Sequence, residues 1–88
     1  MALQEDFEAA AEAVHQMTKR PSNEEFLKMY AMFKQAKFGD NDTPKPKMLA
    51  NIKDKKKWEF WMNLKGKSQE DAMKEYIEFT QGLIAKYT

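Results

Sequence analysis

A tyrosine, a phenylalanine and a lysine at helical spacing are the first residues here that could bind a ligand. The stretch FLKMYAMFKQAKFGD, residues 26–40, places Tyr30, Phe33 and Lys34 at positions i, i+3 and i+4, so they share one helical face. A buried tyrosine hydroxyl needs a partner, and lysine is almost never fully buried. Core packing therefore explains Tyr30 and Lys34 poorly. A hydroxyl and an ammonium one turn apart suit a phosphate group, and Phe33 beside them could stack on a flat base.

Lysines dominate a second stretch, residues 45–57, in which Asp54 is the one acidic residue among Lys45, Lys47, Lys53, Lys55, Lys56 and Lys57. Cations at the start of a helix oppose its macrodipole, so their presence there calls for a reason. Three interpretations stay open on composition: an anionic ligand, a solvated surface, and a nucleic-acid patch. The formal net charge of +1 favours a compact anion over a long polyanion.

Catalytic and metal-binding motifs are missing from the sequence. The single histidine, His15, falls near the end of a predicted helix, and no nucleophile elbow, P-loop or zinc motif is present. A lone helical histidine is most often a surface or boundary residue. Scattered carboxylates provide no argument for paired acid–base groups. We therefore predict that the protein is not an enzyme and that it has neither a metal site nor a cofactor.

Apolar residues recur with a helical period in four segments. Helix 1 is predicted over about 4–17, helix 2 over about 22–38, helix 3 over about 52–65, and helix 4 from Ser68 to Tyr87. Ser22 and Ser68 each precede an acidic residue by three positions, the spacing of a capping box. In helix 3 the residues expected to face inward are Trp58, Trp61 and Leu64.

The connection between helices 2 and 3 is long. Residues 39–51, GDNDTPKPKMLAN, contain two prolines and four Asn or Asp residues, which favour turns over regular structure. Long connections in small domains are often functional. No segment alternates with period two, so we predict an all-α fold, a four-helix bundle with one long crossover.

Length and composition limit the class of protein. The 88 residues, with no cysteine, predict one domain over 1–88 without disulfides. The first residues lack the basic and apolar regions of a signal peptide. No window approaches the length of a membrane span. These features lead us to expect a cytoplasmic protein.

Three ordered blocks of the sequence resemble the acyl-CoA-binding protein family. They are YAMFKQAKFGD, KWEFW and LKGKSQEDAMKEYI, and the resemblance runs from Phe7 to Tyr87. It implies an up-down-down-up four-helix bundle with its long connection between helices 2 and 3. It also implies a monomeric, non-enzymatic carrier that binds long-chain acyl-CoA, forms an intracellular pool of it, and makes transient contact with membranes or acyl-CoA-using enzymes. The competing class is a helical interaction module whose lysines bind anionic membrane or nucleic acid.

The resemblance also implies roles for individual residues. Tyr30, Lys34 and Lys57 match the positions that hold the 3′-phosphate of CoA, and Tyr76 matches one that lines the adenine. Two further residues, Phe26 and Leu27, match positions that contact the acyl chain.

The sequence departs from the family pattern in three places. His15 stands where the family commonly has a lysine that contributes to the phosphate site, and Phe33 stands where tyrosine is common. One extra residue lies between Met48 and Trp58. Lys57 is matched by its place directly before Trp58, which leaves Lys56 in the position of a small residue near the ligand.

Overall fold

Four α-helices make up most of the chain. The computed structural model describes residues 2–88, and its helices are α1 (Leu3–Ala13), α2 (Asn23–Phe38), α3 (Ile52–Met62) and α4 (Gln69–Tyr87). A short 3-10 turn, Val14–Gln16, extends α1. No strand occurs in residues 2–88, so the predicted all-α class is confirmed. None of the helices in this range is long and apolar enough to span a membrane.

The observed helix ends agree with the sequence for α2 and α4 and differ for α1 and α3. Helix 1 was predicted to reach residue 17, but its last turn, up to Gln16, is 3-10. Helix 3 was predicted to reach residue 65, which is wrong, because α3 ends at Met62. Beyond it, the backbone N–H of Lys65 donates to the Met62 carbonyl at 3.0 Å, a tightened i to i+3 turn. That turn leads to Gly66, whose φ of 93° suits glycine.

The predicted starts of α2 and α4 are confirmed by their caps. The Glu25 N–H donates to Ser22 Oγ at 3.2 Å, and the Ser22 N–H donates to Glu25 Oε1 at 3.0 Å, completing a capping box. The N–H of Asp71 donates to Ser68 Oγ at 3.0 Å. These bonds satisfy backbone donors that have no partner within the helix.

The helices lie side by side in the order α1, α4, α2, α3. The Cα atoms extend over 40 × 28 × 15 Å, so the arrangement is flat. Among the helices of residues 2–88, α3 lies close to α2 alone, and α1 lies close to α4. The core therefore forms among α1, α4 and α2, while α3 stays on its outer edge.

Contacts at both ends of α4 determine the direction of α1. The rings of Phe7 and Tyr76 meet at 5.1 Å between centroids. Towards the other end, the Thr18 N–H donates to the Tyr87 carbonyl at 3.0 Å. The second contact lies further along the chain than the first on both sides, so α1 and α4 are parallel.

The direction of α2 is opposite. Lys86 Nζ lies 3.1 Å from Glu25 Oε2, whereas Gln69 Nε2 donates to the Ala36 carbonyl at 3.2 Å. The end of α4 thus meets the start of α2. Helix α3 runs in the same direction as α2, because Lys57 Nζ lies 5.8 Å from the ring of Phe26 near the start of α2, and the later Trp61 ring lies 6.4 Å from that of Phe38 at its end. The predicted up-down-down-up order is confirmed.

The core centres on one aromatic group. Its buried members are Phe7, Ala36, Ala72, Met73 and Tyr76, with partly buried Met29 and Phe33 packed against them. Alanines on α2 and α4 let those helices approach closely, and Phe7 of α1 packs beside the contact. Full burial of one such aromatic ring stabilises the fold by about 1.5–3 kcal/mol.

One buried glutamine ties three helix ends together. Gln35 is 0% exposed, and its Nε2 donates to Asp40 Oδ1 at 2.9 Å and to the Lys67 carbonyl at 2.8 Å. Asp40 Oδ1 also accepts from the Gly66 N–H at 2.9 Å. This backbone bond, aided by Gln35, lowers the pKa of Asp40. The end of α2 is thus bonded to the α3–α4 turn.

Helix α3 is attached through the 39–51 connection. Trp58 Nε1 donates to the Thr43 carbonyl at 3.0 Å, and Trp61 Nε1 donates to the Gly39 carbonyl at 2.9 Å. Asn41, 4% exposed, donates to the Trp58 carbonyl at 3.2 Å. None of the side chains of α3 is fully buried. Trp58, Trp61 and Leu64, which were predicted to face inward, are only half-buried. The two indoles bond to the connection instead of packing in the core.

Glu25 joins the C-terminal residues to the start of α2. Its carboxylate accepts from the Tyr87 hydroxyl, from Lys86 Nζ at 3.1 Å and from the Ser22 N–H at 3.0 Å. The Tyr87 bond, followed by the Ser22 N–H bond, lowers the pKa of Glu25 to about 2. A carboxyl whose pKa is lower in the folded state stabilises that state when it is ionised.

We expect Glu25→Gln to destabilise the protein in a pH-dependent way. The stability that Glu25 contributes is complete above its ordinary pKa of 4.5 and is lost as pH falls towards the folded-state value of about 2. Urea unfolding followed by circular dichroism should show a lower free energy of unfolding for the variant at pH 7. The difference from wild type should narrow between pH 4.5 and pH 2. The control is Glu24→Gln, which removes an exposed 3.6 Å ion pair with Lys28 in the same turn. A gap that stays constant with pH would contradict the role assigned to the Glu25 carboxylate.

Candidate functional site

A cleft lies between α2, α3 and the long connection. Its volume is about 370 Å³, and its lining residues are Tyr30, Lys34, Thr43, Pro44, Pro46, Asp54, Lys57, Trp58 and Trp61. We call it the basic cleft. It brings together Tyr30, Lys34 and Lys57, which the family resemblance assigns to one site, although 23 positions separate the two lysines in the chain.

Two lysine ammonium groups converge on the ring of Tyr30. Lys34 Nζ lies 5.6 Å from its centroid and Lys57 Nζ lies 5.1 Å from it, distances at which a cation is attracted to an aromatic face. Lys34 Nζ is also 4.9 Å from the Phe38 centroid and 5.8 Å from that of Trp61. Aromatic surfaces thus position both cations, and neither forms an ion pair within residues 2–88. The charges remain available to an anion.

The Tyr30 hydroxyl is suited to donate a hydrogen bond. Burial raises the pKa of Tyr30, and the nearby Asp54 carboxylate raises it further. The phenol therefore stays protonated at physiological pH. A protonated hydroxyl on a ring that two ammonium groups approach can donate to an anionic oxygen that those groups also bind.

Asp54 is the unfavourable member of the cleft for an anionic ligand. It lies in the first turn of α3, where its N–H donates to the Asn51 side chain at 2.8 Å. A carboxylate there interacts favourably with the helix dipole. The same charge repels any anion that enters the basic cleft, so Asp54 favours the helix at the expense of anion binding.

A second, less polar cavity adjoins the first. It holds about 490 Å³ and is lined by Asn23, Glu24, Phe26, Leu27, Ile52, Lys53, Lys56 and Phe60. We call it the apolar groove. The Phe26 and Tyr30 rings stack at 6.5 Å between centroids, and Lys57 Nζ also lies 5.8 Å from the Phe26 centroid. The groove and the basic cleft therefore meet along Phe26, Tyr30 and Lys57.

The structure places Leu27 and Lys56 on either side of this groove. Leu27 is 6% exposed, so most of its surface packs inside the protein. The side chain of Lys56 is exposed and stands at the rim. Leu27 was predicted to contact the acyl chain and Lys56 to lie near the ligand, and both line the same cavity.

Phe33 and Tyr76 lie apart from the cleft, against the core. Phe33 packs on Phe7 at 5.6 Å and on Tyr76 at 5.9 Å between ring centroids. Tyr76 is only 3% exposed, and burial raises its pKa to about 12. Phe33 is half-buried, with Lys37 Nζ 5.5 Å from its centroid. The Phe33 ring thus retains some accessible surface, and Tyr76 mainly supports it.

His15 is the predicted site residue that the structure does not connect to the others. It is exposed in the 3-10 turn after α1. No hydrogen bond or ion pair of residues 2–88 involves its side chain, and it lines neither the cleft nor the groove. Within that range no three His, Cys, Asp or Glu side chains are arranged to hold a metal ion.

Sequence reasoning missed several residues that line the cavities or pack beside them. Phe38, which packs against Lys34, follows it by four positions, so helical spacing alone could have found it. Asp54 was noted only as the single acid in the lysine-rich stretch. Phe60 and Ile52 line the groove from the face of α3 that is next to α2, and only the packing of these two helices could identify them.

Comparison with known proteins gives consistent matches over nearly the whole chain. Residues 4–80 match the family described as acyl CoA binding protein. A Drosophila melanogaster acyl-CoA-binding protein homolog is 59% identical over 85 residues, which cover 97% of this chain and 98% of that protein. The acyl-CoA-binding protein of Saccharomyces cerevisiae is 56% identical over 82 residues, covering 93% of each chain.

Solved structures agree. The crystal structure of Oryza sativa acyl-CoA-binding protein 2 superposes with a TM-score of 0.89 at 39% identity, covering 97% of this chain and 93% of the other. The solution structure of the yeast acyl coenzyme A binding protein gives a TM-score of 0.73 at 57% identity, with coverage of 92% and 93%. The same helical architecture is thus found in both.

Proposed function

Because this chain belongs to the acyl-CoA-binding protein family, we propose that it binds long-chain acyl-CoA thioesters and carries and buffers them. The observation that supports this most strongly is the junction of the basic cleft and the apolar groove at Phe26, Tyr30 and Lys57. An acyl-CoA is polyanionic at one end and apolar at the other. Two adjoining cavities of opposite character match that distribution.

The nucleotide end is assigned to the basic cleft. Lys34 and Lys57 flank Tyr30 at 5.6 and 5.1 Å from its centroid, and all three can donate to the 3′-phosphate. Hydrogen bonds between charged groups are shorter and stronger than neutral ones. The aromatic contacts hold the lysine side chains near their binding positions, which reduces the ordering that binding requires.

The acyl chain is assigned to the apolar groove. Phe26, Leu27, Ile52 and Phe60 supply its apolar lining. Each methylene removed from water there contributes about 0.8 kcal/mol at most. A long chain can therefore contribute a large part of the affinity, and Lys56 at the rim would cover its aliphatic carbons with its own side-chain stem.

The remaining assignments stay predictions. A contact of Tyr76 with the adenine, and of His15 with the phosphate, depends on the family resemblance, whereas stacking of Phe33 on the base rests on its helical spacing from Tyr30. The cytoplasmic location, the monomeric state, and the expectation that the protein uses no cofactor and does not bind nucleic acid are also predictions. The family is one of binding proteins, and we propose that this member performs no catalysis.

Palmitoyl-CoA should bind far more tightly than CoA. The reason is that both ligands offer the same phosphates, while only one places an apolar chain in the groove. Isothermal titration calorimetry of the full chain with palmitoyl-CoA, CoA and palmitate tests this, below the concentrations at which the amphiphiles form micelles. Equal affinities for CoA and palmitoyl-CoA would refute the assignment of the groove.

Lys34→Ala and Lys57→Ala should each weaken palmitoyl-CoA binding by about 1.5–3 kcal/mol with unchanged helical content. The loss should shrink when the ligand is 3′-dephospho-palmitoyl-CoA, because the removed contact is then absent in wild type as well. Lys74→Ala, on the exposed surface of α4, is the matched control. A loss of the same size with both ligands would show that these lysines bind another part of CoA.

Asp54→Asn should strengthen binding by about 0.2–1 kcal/mol at low salt, the range of exposed charge interactions. The substitution removes the carboxylate that faces the ligand phosphates. The gain should fade as salt is raised, since screening weakens the repulsion in wild type. Glu70→Gln, an exposed acid in the first turn of α4, changes the net charge equally and should leave binding unaltered. An equal gain in both variants would indicate an effect of net charge alone.

A further inference from the structure

Three large apolar side chains are exposed next to one another where the long connection enters α3. Met48 is 88% exposed, Leu49 is 97% exposed and Ile52 is 70% exposed. The Ala50 N–H donates to the Lys47 carbonyl at 2.9 Å, which places Met48 and Leu49 on the outside of a tight turn. Single exposed apolar residues are ordinary, but a contiguous group marks an interaction surface. We call Met48, Leu49 and Ile52 the apolar tip.

Five lysines stand shortly before or after this tip in the sequence: Lys45, Lys47, Lys53, Lys55 and Lys56. Lys55 Nζ donates to the Met48 carbonyl and so holds the turn against α3. None of the five lysines forms an ion pair with a carboxylate within residues 2–88. Several lie in the first turns of α3, where the helix dipole adds to the positive potential. The surface is therefore both apolar at its centre and cationic at its margin.

The tip lies at the edge of the apolar groove. Ile52 belongs to both, because it lines the groove together with Lys53 and Lys56. Met48 lines a separate recess of about 420 Å³ on the other side of α3, with Lys45, Lys55 and Trp58 among its other residues. A surface that receives the tip would therefore also face the opening of the groove.

We infer that the apolar tip docks on bilayers that contain anionic phospholipids, with Met48, Leu49 and Ile52 entering the interfacial layer and the lysines contacting headgroup phosphates. Apolar side chains within a cationic margin are what such a surface attracts. A nucleic acid would match the lysines but would leave three exposed apolar side chains unexplained. A second copy of the chain would bring two cationic margins together. Docking would let an acyl chain pass between bilayer and groove with little exposure to water, a consequence that rests on the proposed function.

Insertion of the tip can be measured with a single reporter, because the chain has no cysteine. The variants are Leu49→Cys and Lys74→Cys, each labelled with the environment-sensitive dye NBD. Residue 74 is exposed on α4, whose start lies against the far end of α2. With vesicles of phosphatidylcholine containing 30% phosphatidylserine, the dye at position 49 should brighten and shift to the blue, and the dye at position 74 should not. Equal responses at both positions would overturn the proposal.

Substitutions separate the apolar and the cationic contributions. Lys47→Glu should weaken vesicle co-sedimentation by more than about fivefold, since each lysine near an anionic surface contributes about that factor. Lys74→Glu has the same net charge and should weaken it much less. The double variant Met48→Gln, Leu49→Gln keeps every charge and should lose about tenfold or more. Unchanged binding of that double variant, or equal loss in both lysine variants, would show general charge attraction and refute docking by the tip.

Two further measurements distinguish this proposal from the proposed function and from a polyanion site. Without vesicles, the Lys47→Glu and double variants should bind palmitoyl-CoA as the wild type does, because none of their positions lines the cleft or the groove. If the wild type binds acyl-CoA normally but does not bind vesicles, docking alone is refuted. If it binds vesicles but not acyl-CoA, the carrier role alone is refuted. A short duplex DNA is the probe for a polyanion site. If the wild type binds it but not vesicles, and if DNA binding falls in Lys47→Glu but persists in the double variant, the surface binds nucleic acid and the proposal is overturned.

Discussion

The attachment of α3 is the constraint on which the rest of the site depends. This helix contributes no fully buried side chain and lies beside α2 alone among the helices of residues 2–88. Its position is maintained by the hydrogen bonds that the Trp58 and Trp61 indoles donate to the 39–51 connection. Asn41 of the connection donates a further bond to the Trp58 carbonyl. The connection therefore acts as a structural element. Without it, α3 would not be held beside α2, and the basic cleft and the apolar groove would each lose the wall that α3 supplies.

Helix α2 serves the core and the site with different faces. Ala31, Gln35 and Ala36 are buried, and they support the packing on α4 and the buried corner at the end of the helix. Tyr30 and Lys34 each stand one position before a buried residue, and they face α3 and stay half-buried. One helix can do both because α3 is displaced to the outer edge of a flat arrangement. In a closed bundle, the same face would be occupied by packing.

Helical period, capping residues and the two prolines of the connection are local signals, so the sequence by itself determined the four helices, their approximate ends and the long crossover. The capping box at Ser22 and Glu25 is one example. Helical spacing also determined that Tyr30 and Lys34 share a face. The end of α3 was predicted too late because the turn before Gly66 is stabilised by a bond to Asp40, a contact between residues 26 positions apart that no local pattern contains.

Only the tertiary structure decided which residues from different helices meet. It brought Lys57 to the ring of Tyr30, placed Asp54 in the same cleft, and left His15 on α1 outside both cavities. Composition could count the lysines of residues 45–57, but it could not show that Lys57 turns towards aromatic rings while Lys47 remains beside an exposed apolar tip. The physical reason is that side-chain direction on a helix follows from its sequence, whereas the neighbour it faces depends on how two helices pack.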